Sequence, residues 1–309
     1  MRLAHSCIPV LLLLLAGGCS APESEPGPPN SILSDSSIVD ALGRSVRVPV
    51  PLGRVASLAP SITEMMVLAG GANAVAGITT ADNHPASILS KPAYSALPVD
   101  FESIASLRPD AVFATTQVNA PRDADVFARL GIPELFFETR RVGDIIDGIR
   151  TMGRLFGTAE RAGHAADSLE SRIASLRQRT DGIVDRPRVL VLIAAETPWS
   201  FGPESYVHEL LEWAGGVSVT ADFPTEAPVL SEEFVIEAAP DVILGTFRGD
   251  DPLADLLVHH PAWSAIPAIA NGRVIAVPAD LVLRAGPRVV EGAWVMARAL
   301  HPDVMAGTE

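Results

Sequence analysis

Two carboxylates occupy matching places in the chain, Glu102 and Glu233. The first lies in Phe101-Glu102-Ser-Ile-Ala-Ser-Leu-Arg-Pro109-Asp110-Ala-Val-Phe-Ala-Thr115. The second lies in Glu232-Glu233-Phe-Val-Ile-Glu-Ala-Ala-Pro240-Asp241-Val-Ile-Leu-Gly-Thr246. Glu102 aligns with Glu233, Pro109 with Pro240, Asp110 with Asp241 and Thr115 with Thr246, each at a separation of 131 residues. A carboxylate in the first turn of a helix is favoured by the macrodipole, by roughly 0.3–1 kcal/mol, and that accounts for either glutamate singly. It does not account for one such charge at the same site of two repeats. That arrangement suits electrostatic docking onto a twofold partner carrying cations.

Covalent catalysis has less support. The sequence contains no Gly-x-Ser-x-Gly elbow, phosphate-binding loop, His-Glu-x-x-His or Gly-x-Gly-x-x-Gly, so an envelope-tethered hydrolase is a minor alternative and a non-enzymatic role is expected. His259 and His260 adjoin each other before Pro261, and no carboxylate stands at ligand spacing beside them; a capping or surface role is expected for the pair, and no metal site. Ser61-Ile-Thr-Glu64 has the form of a capping box that opens a helix. Cys19 follows Ala16-Gly17-Gly18, small residues that suit lipidation of its thiol after cleavage before it.

The elements that would position these groups come from the hydropathy pattern. Short β-branched runs alternate with helical stretches, the mark of α/β units. Strands are expected at Arg54–Leu58, Val75–Thr79, Ala111–Thr115 and Glu134–Glu138, and again at Arg188–Ala194, Val217–Thr220, Asp241–Thr246 and Arg273–Val277. An Arg-Val pair opens the first strand of each set, and the following helix ends in Ala-Gly-Gly (Ala69 to Gly71, Ala214 to Gly216). The fold class is therefore α/β: two related three-layer lobes with mainly parallel sheets, joined by one long interlobe helix, with the ligand cleft between the lobes. The boundaries are 38–141 for the N-terminal lobe, 142–183 for the helical connector and 184–309 for the C-terminal lobe. Within the connector the helix runs from Ala159, with Thr158 as N-cap, Leu169, Ile173 and Leu176 on one face, and a stop near Gly182.

Ligands of open α/β sheets bind beyond the carboxyl ends of the strands. That rule gathers Ser61, His84, the loop 116–119 with Gln117, Trp199, Phe223, Arg248 and Arg284 as candidate ligand contacts, and Tyr94, in a loop before the Glu102 helix, joins them. Trp199 would either stack on a ligand or anchor its loop over the core, and Arg284 would either meet an anionic group or form a surface salt bridge.

Composition sets the compartment. Hydrophobic residues are 48% and charged residues 19% of 309, enough for sizeable cores. The formal net charge is -14 and Lys91 is the only lysine, which argues against binding a nucleic-acid backbone. Arg2 and His5 precede the apolar stretch Ile8 to Leu15, which is too short to span a bilayer and has the length of a signal-peptide core. Residues 1–18 are thus expected to be a lipoprotein signal, and 19–37, rich in Pro, Ser and Glu, a flexible tether. The product would be an exported lipoprotein on the periplasmic or extracellular side of a membrane, with one cysteine left and no intramolecular disulfide.

From Ile38 to about Asp303 the chain resembles the helical-backbone substrate-binding proteins of ABC importers. The stretches that carry the resemblance are Val39-Asp-Ala-Leu-Gly43-Arg44, Arg54-Val-Ala-Ser-Leu-Ala-Pro-Ser61-Ile-Thr-Glu64, the Glu102–Asp110 segment, Gly286-Pro-Arg288 and His301-Pro-Asp303. The resemblance implies a monomer that needs no cofactor of its own and carries a metal chelate, whose cobalt or iron belongs to the ligand. It also implies that Glu102 and Glu233 dock onto arginines of a dimeric permease. Corrinoid, haem and ferric siderophore all stay open as ligands. Where similar corrinoid carriers have aromatic residues, this chain has Ala81-Asp82-Asn83-His84-Pro85, with His84 as a ring of another kind. Haem carriers commonly place a tyrosine shortly before the first-lobe glutamate, and Tyr94 lies near that place. Trp199 and the general pattern tip the expectation slightly towards a corrinoid.

Overall fold

The computed structural model describes residues 32–34, 37–247 and 250–306. Cys19, the signal segment and Arg248 lie outside the described residues. The first elements are three short strands, β1 (Ile32–Ser34), β2 (Ser37–Val39) and β3 (Ser45–Arg47), paired antiparallel in sequence order. This small sheet begins inside the segment read as a tether, so the ordered chain starts earlier than composition indicated.

The first lobe contains β4 (Val55–Ser57), α1 (Pro60–Leu68), β5 (Val75–Thr79), β6 (Ala93–Tyr94), α2 (Phe101–Ser106), β7 (Ala111–Thr115), α3 (Asp123–Arg129), β8 (Glu134–Phe137) and α4 (Val142–Phe156). Next come the connector helix α5 (Ala159–Thr180) and β9 (Arg188–Leu192), α6 (Tyr206–Trp213), β10 (Val217–Ser218), α7 (Glu232–Ala238), β11 (Val242–Gly245), α8 (Pro252–His259), α9 (Pro267–Ala270), β12 (Val274–Ala276), α10 (Ala279–Val282) and α11 (Val289–Leu300). The sheet orders are β6-β5-β4-β7-β8 and β10-β9-β11-β12, parallel throughout. Setting aside the extra edge strand β6, the two orders are the same.

The sheets form because their central strands are mostly apolar and buried on both faces, as parallel sheets require. Phe113, Leu135 and Phe137 point to one face of the first sheet, while Val112, Ala114 and Phe136 point to the other. In the second sheet Val189, Val191, Val242 and Leu244 alternate with Leu190, Leu192 and Ile243 in the same way. The Phe113 face and the Val189 face belong to a single apolar cluster that passes through α1, α4, α5, α6 and α11. The lobes therefore share one core on the connector side and keep separate cores on their far sides.

The repeat is carried by hydrogen bonds as well as by sequence. Asp110 Oδ2 accepts from the backbone N–H of Gly53 and Arg54 at 2.9 and 2.8 Å, and Asp241 Oδ2 accepts from Arg188 N–H at 2.8 Å. The Arg54 guanidinium donates to Leu107 O at 2.7 Å and that of Arg188 to Ala238 O at 3.0 Å. Each helix before these aspartates ends in a left-handed residue, Arg108 (φ 47°) and Ala239 (φ 43°), followed by proline. Each begins with a side-chain cap, Asp100 accepting from Ser103 N–H and Ser231 from Phe234 N–H.

Three details correct the reading from sequence. Residues 142–156 are a separate helix, α4, which packs on α1, so the connector proper is α5 alone. The two helices meet closely because Gly153 has no side chain: a Cβ there would lie 2.2 Å from that of Ala162. Thr158 makes no cap bond; its hydroxyl donates instead to Ala69 O at 2.6 Å. His260 is buried rather than on the surface, stacked on Trp263 with its nitrogens 2.5 Å from Glu232 Oε1 and 2.8 Å from Ala195 O.

Candidate functional site

The carboxyl ends of β4, β7, β8 and β9 face a common cavity of about 410 Å³ between the lobes. The first lobe contributes Ser61, Thr115, Gln117, Val118 and Thr139, and the second contributes Phe201, Ser205, Tyr206, Glu226 and Arg284. Short side-chain to backbone bonds hold these loops in place. Asn119 accepts from Thr115 N–H at 2.9 Å and donates to Leu58 O at 3.0 Å, and the Thr115 and Thr139 hydroxyls are 2.8 Å apart. Across the cleft, Thr220 Oγ1 donates to Phe201 O at 2.6 Å and the Tyr206 hydroxyl to Val282 O at 2.9 Å. The site is thus largely preformed, with an aromatic wall on one lobe and hydroxyls and an amide on the other.

Two polar networks close the ends of the cleft. At one end the carboxylate of Glu64, 2% exposed, takes the Arg288 guanidinium in a bidentate pair at 2.9 and 2.7 Å and Arg284 at 3.2 Å. Arg284 also donates to Asn83 Oδ1 at 2.7 Å and pairs with Asp280 at 3.0 Å, and Asn83 donates to Asp280 at 2.7 Å. At the other end Arg141 pairs with Glu209 at 3.2 Å, and Arg140 lies within 4.0 Å of Glu204 and Glu226. Burial raises the Glu226 carboxyl above the usual range, against the lowering influence of Arg140. Glu64 is therefore not the capping residue that its spacing from Ser61 indicated. The N-cap of α1 is Ala59, with Pro60 in the first turn, and Glu64 is a buried interlobe ion-pair partner.

The remaining candidates divide by place. Ser61 and Arg284 line the cleft. Trp199 is 43% exposed, in an antiparallel bridge with Val229, and is outside the lining. Phe223 turns away, packed edge-to-face on Phe234 at 4.9 Å within the far core of the second lobe. His84 is exposed beside a second cavity, near Glu64 and Arg288. Tyr94 is a core residue: it is 3% exposed, its ring packs over Gly77, and its hydroxyl donates to Ser57 O at 2.8 Å and Gly77 O at 3.1 Å. Burial pushes that phenol far above its ordinary pKa, so it is removed from any ligand and unsuited to forming a phenolate. Glu102 and Glu233 are exposed in the first turns of α2 and α7, whose capping is done by Asp100 and Ser231.

Gln117 and Val118 line the cleft, as the strand-end rule expected for residues 116–119; sequence reasoning missed Phe201, Tyr206, Glu226 and the role of Glu64. A signal for Tyr206 was present. It opens α6, the second-lobe counterpart of α1, and both helices end in Ala-Gly-Gly, so Tyr206 and Pro60-Ser61 hold equivalent places.

Among the described residues the lining carries no histidine, cysteine or lysine, and no group of three or more His, Cys, Asp or Glu could hold a metal ion. What the cleft offers is an aromatic surface and hydrogen bonds from two sides.

Known proteins share this plan. The chain is 26% identical over 274 residues to the uncharacterized ABC transporter substrate-binding lipoprotein YvrC of Bacillus subtilis, covering 86% of each. It is 26% identical over 246 residues to the vitamin B12-binding protein of Vibrio cholerae, covering 79% of this chain and 87% of that one. The apo periplasmic heme-binding protein RhuT of Roseiflexus sp. RS-1 superposes with a TM-score of 0.71 at 26% identity, over 81% of this chain and 98% of that one. The model of the periplasmic binding protein family matches residues 55–281, from the first strand of the first sheet to beyond the last strand of the second. With a preformed cleft between two repeated lobes, the chain belongs to the periplasmic binding protein family.

Proposed function

We propose that the chain is the lipid-anchored receptor of an ABC importer and that it captures a chelate whose metal is already fully ligated, a corrinoid in the first place. The observation that carries the choice of ligand is the cleft lining. Its one phenol, Tyr206, is buried and donates to Val282 O, Tyr94 is in the core, and His84 is turned to another cavity. A haem with an open axial position gains no protein ligand from such a lining. A corrinoid or a ferric siderophore needs none, and can be held by Phe201 and Tyr206 with polar contacts from Ser61 and Gln117, whose side chains make no hydrogen bond among the described residues. The similarity to a vitamin B12-binding protein supports the corrinoid as the first reading, and a siderophore is the second reading on the same lining. A cavity of about 410 Å³ is at the small end of ligand sites, so the reading requires a large chelate to project from the cleft or the lobes to part.

The lipid anchor at Cys19 rests on the sequence before it and on a relative named as a lipoprotein. Among the described residues no helix is long and apolar enough to cross a membrane. The test is calorimetric titration of the purified chain with cobalamin, cobinamide, a ferric hydroxamate and haem, with visible spectra of each mixture. A corrinoid is expected to bind one per chain with its axial-ligand bands unshifted. Tight binding of haem with a shifted Soret band would overturn the choice.

A further inference from the structure

A second cavity, of about 330 Å³, shares no lining residue with the cleft. It opens where α1 of the first lobe, the connector α5 and the start of α11 of the second lobe meet, on the other side of the Glu64 carboxylate from Arg284. Its floor is apolar, made by Val67, Leu68, Leu169 and Pro287. Its charged groups are unequal. Arg161 and Arg172 stand eleven residues apart on α5, three turns at 3.6 residues each, and so project from the same face. Both are exposed, and among the described residues neither has an acidic partner within salt-bridge distance. The carboxylates of α5 that could have served, Asp167 and Glu170, are engaged by Arg150 of α4 at 2.9 Å each. Within the cavity Glu64 is neutralised by Arg288 and Arg284, which leaves Glu291 as the single free carboxylate facing Arg161, Arg172 and the His84 ring.

An apolar floor between two unpaired guanidinium groups matches one kind of ligand: a carboxylate or phosphate carried on a short apolar body. We infer that this cavity is a binding site for a small amphipathic anion, separate from the chelate cleft. Guanidinium groups suit carboxylate and phosphate oxygens by charge and by their planar donor geometry, and the cavity volume lies within the range of small-molecule sites. A ligand here touches both lobes and the connector at once. Its occupancy therefore stabilises the interlobe arrangement as well as the local surface.

The test is calorimetric titration of the purified chain at low salt with octanoate, octyl phosphate, octanol and inorganic phosphate. Octanoate and octyl phosphate are expected to bind at one site per chain, and octanol and inorganic phosphate at least about tenfold more weakly, because each lacks one half of the recognised chemistry. Arg161→Gln with Arg172→Gln is expected to weaken both amphiphiles about tenfold or more. The control Arg129→Gln with Arg298→Gln, which removes two exposed arginines elsewhere, is expected to leave them unchanged. All four side chains are exposed, so the melting midpoint should stay within about one degree in both variants. Absence of saturable binding would overturn the site, as would equal binding by the Arg161/Arg172 variant, or octanol binding as tightly as octanoate.

Discussion

Glu64 shows how a single residue type can be read correctly for place and wrongly for role. Its spacing from Ser61 fits a helix start, but Pro60 already fills the first turn of α1, and the side chain turns inward to meet two arginines more than 200 residues away in the chain. Glu64→Gln is expected to lower stability by about 2 kcal/mol or more, since it takes the paired carboxylate from Arg288 and leaves Arg284 with Asp280 alone; urea denaturation measures it as a fall in the transition midpoint. Phe201→Ala is expected to weaken ligand binding by roughly tenfold, the upper range for a lost aromatic contact, whereas Trp199→Ala outside the lining should cost less. Titration of both variants with the same chelate would give the order. Glu134 supplies a pH test. Both of its oxygens are buried without a hydrogen-bond partner, and burial pushes its pKa up to about 8 despite the nearby Arg44. The folded chain thus holds a proton that the unfolded chain releases near pH 4.3, so this group makes stability fall as pH rises from about 4.5 to about 8. Glu134→Gln should raise the melting temperature at pH 8.5 and change it little at pH 4.5.

The eight strands expected from sequence are all present, because a parallel strand buried on both faces shows itself as a continuous apolar run. The strands it missed, β1, β2, β3 and β6, are two or three residues long and have no counterpart in the repeat, unlike the equally short β4, β10 and β12. The long connector was visible for a different reason: Leu169, Ile173 and Leu176 recur at helical spacing within a charged segment. Tyr94 was misplaced because what draws its ring inward is the bare backbone of Gly77 on the neighbouring strand, a contact that no local pattern records. The cleft was legible in outline, through the rule about strand ends, but not in detail, since which side chain of a loop points inward depends on the other lobe. Gly153 tests the packing of α4 on α5. Gly153→Val places methyl groups where Ala162 lies and is expected to cost about 1–3 kcal/mol, seen as a lower thermal midpoint with helical content retained.

The whole molecule is two copies of one plan joined along a shared core. A common apolar cluster running from the first sheet through α4, α5, α6 and α11 to the second sheet opposes independent unfolding of the lobes. Scanning calorimetry is expected to give one transition whose calorimetric and van't Hoff enthalpies agree. The same plan places Glu102 and Glu233 at equivalent exposed helix starts, with Asp100 and Ser231 doing the capping, and we propose that these two carboxylates dock the receptor onto cations of a twofold importer. The most direct measurement is uptake of the bound chelate by cells in which Glu102→Arg with Glu233→Arg replaces the native chain, alongside the affinity of the purified variant. The account predicts affinity unchanged and uptake abolished, since reversal turns two interface attractions into repulsions, where close charge pairs couple by roughly 1.5–7 kcal/mol. Normal uptake by an exported, folded double variant would contradict it.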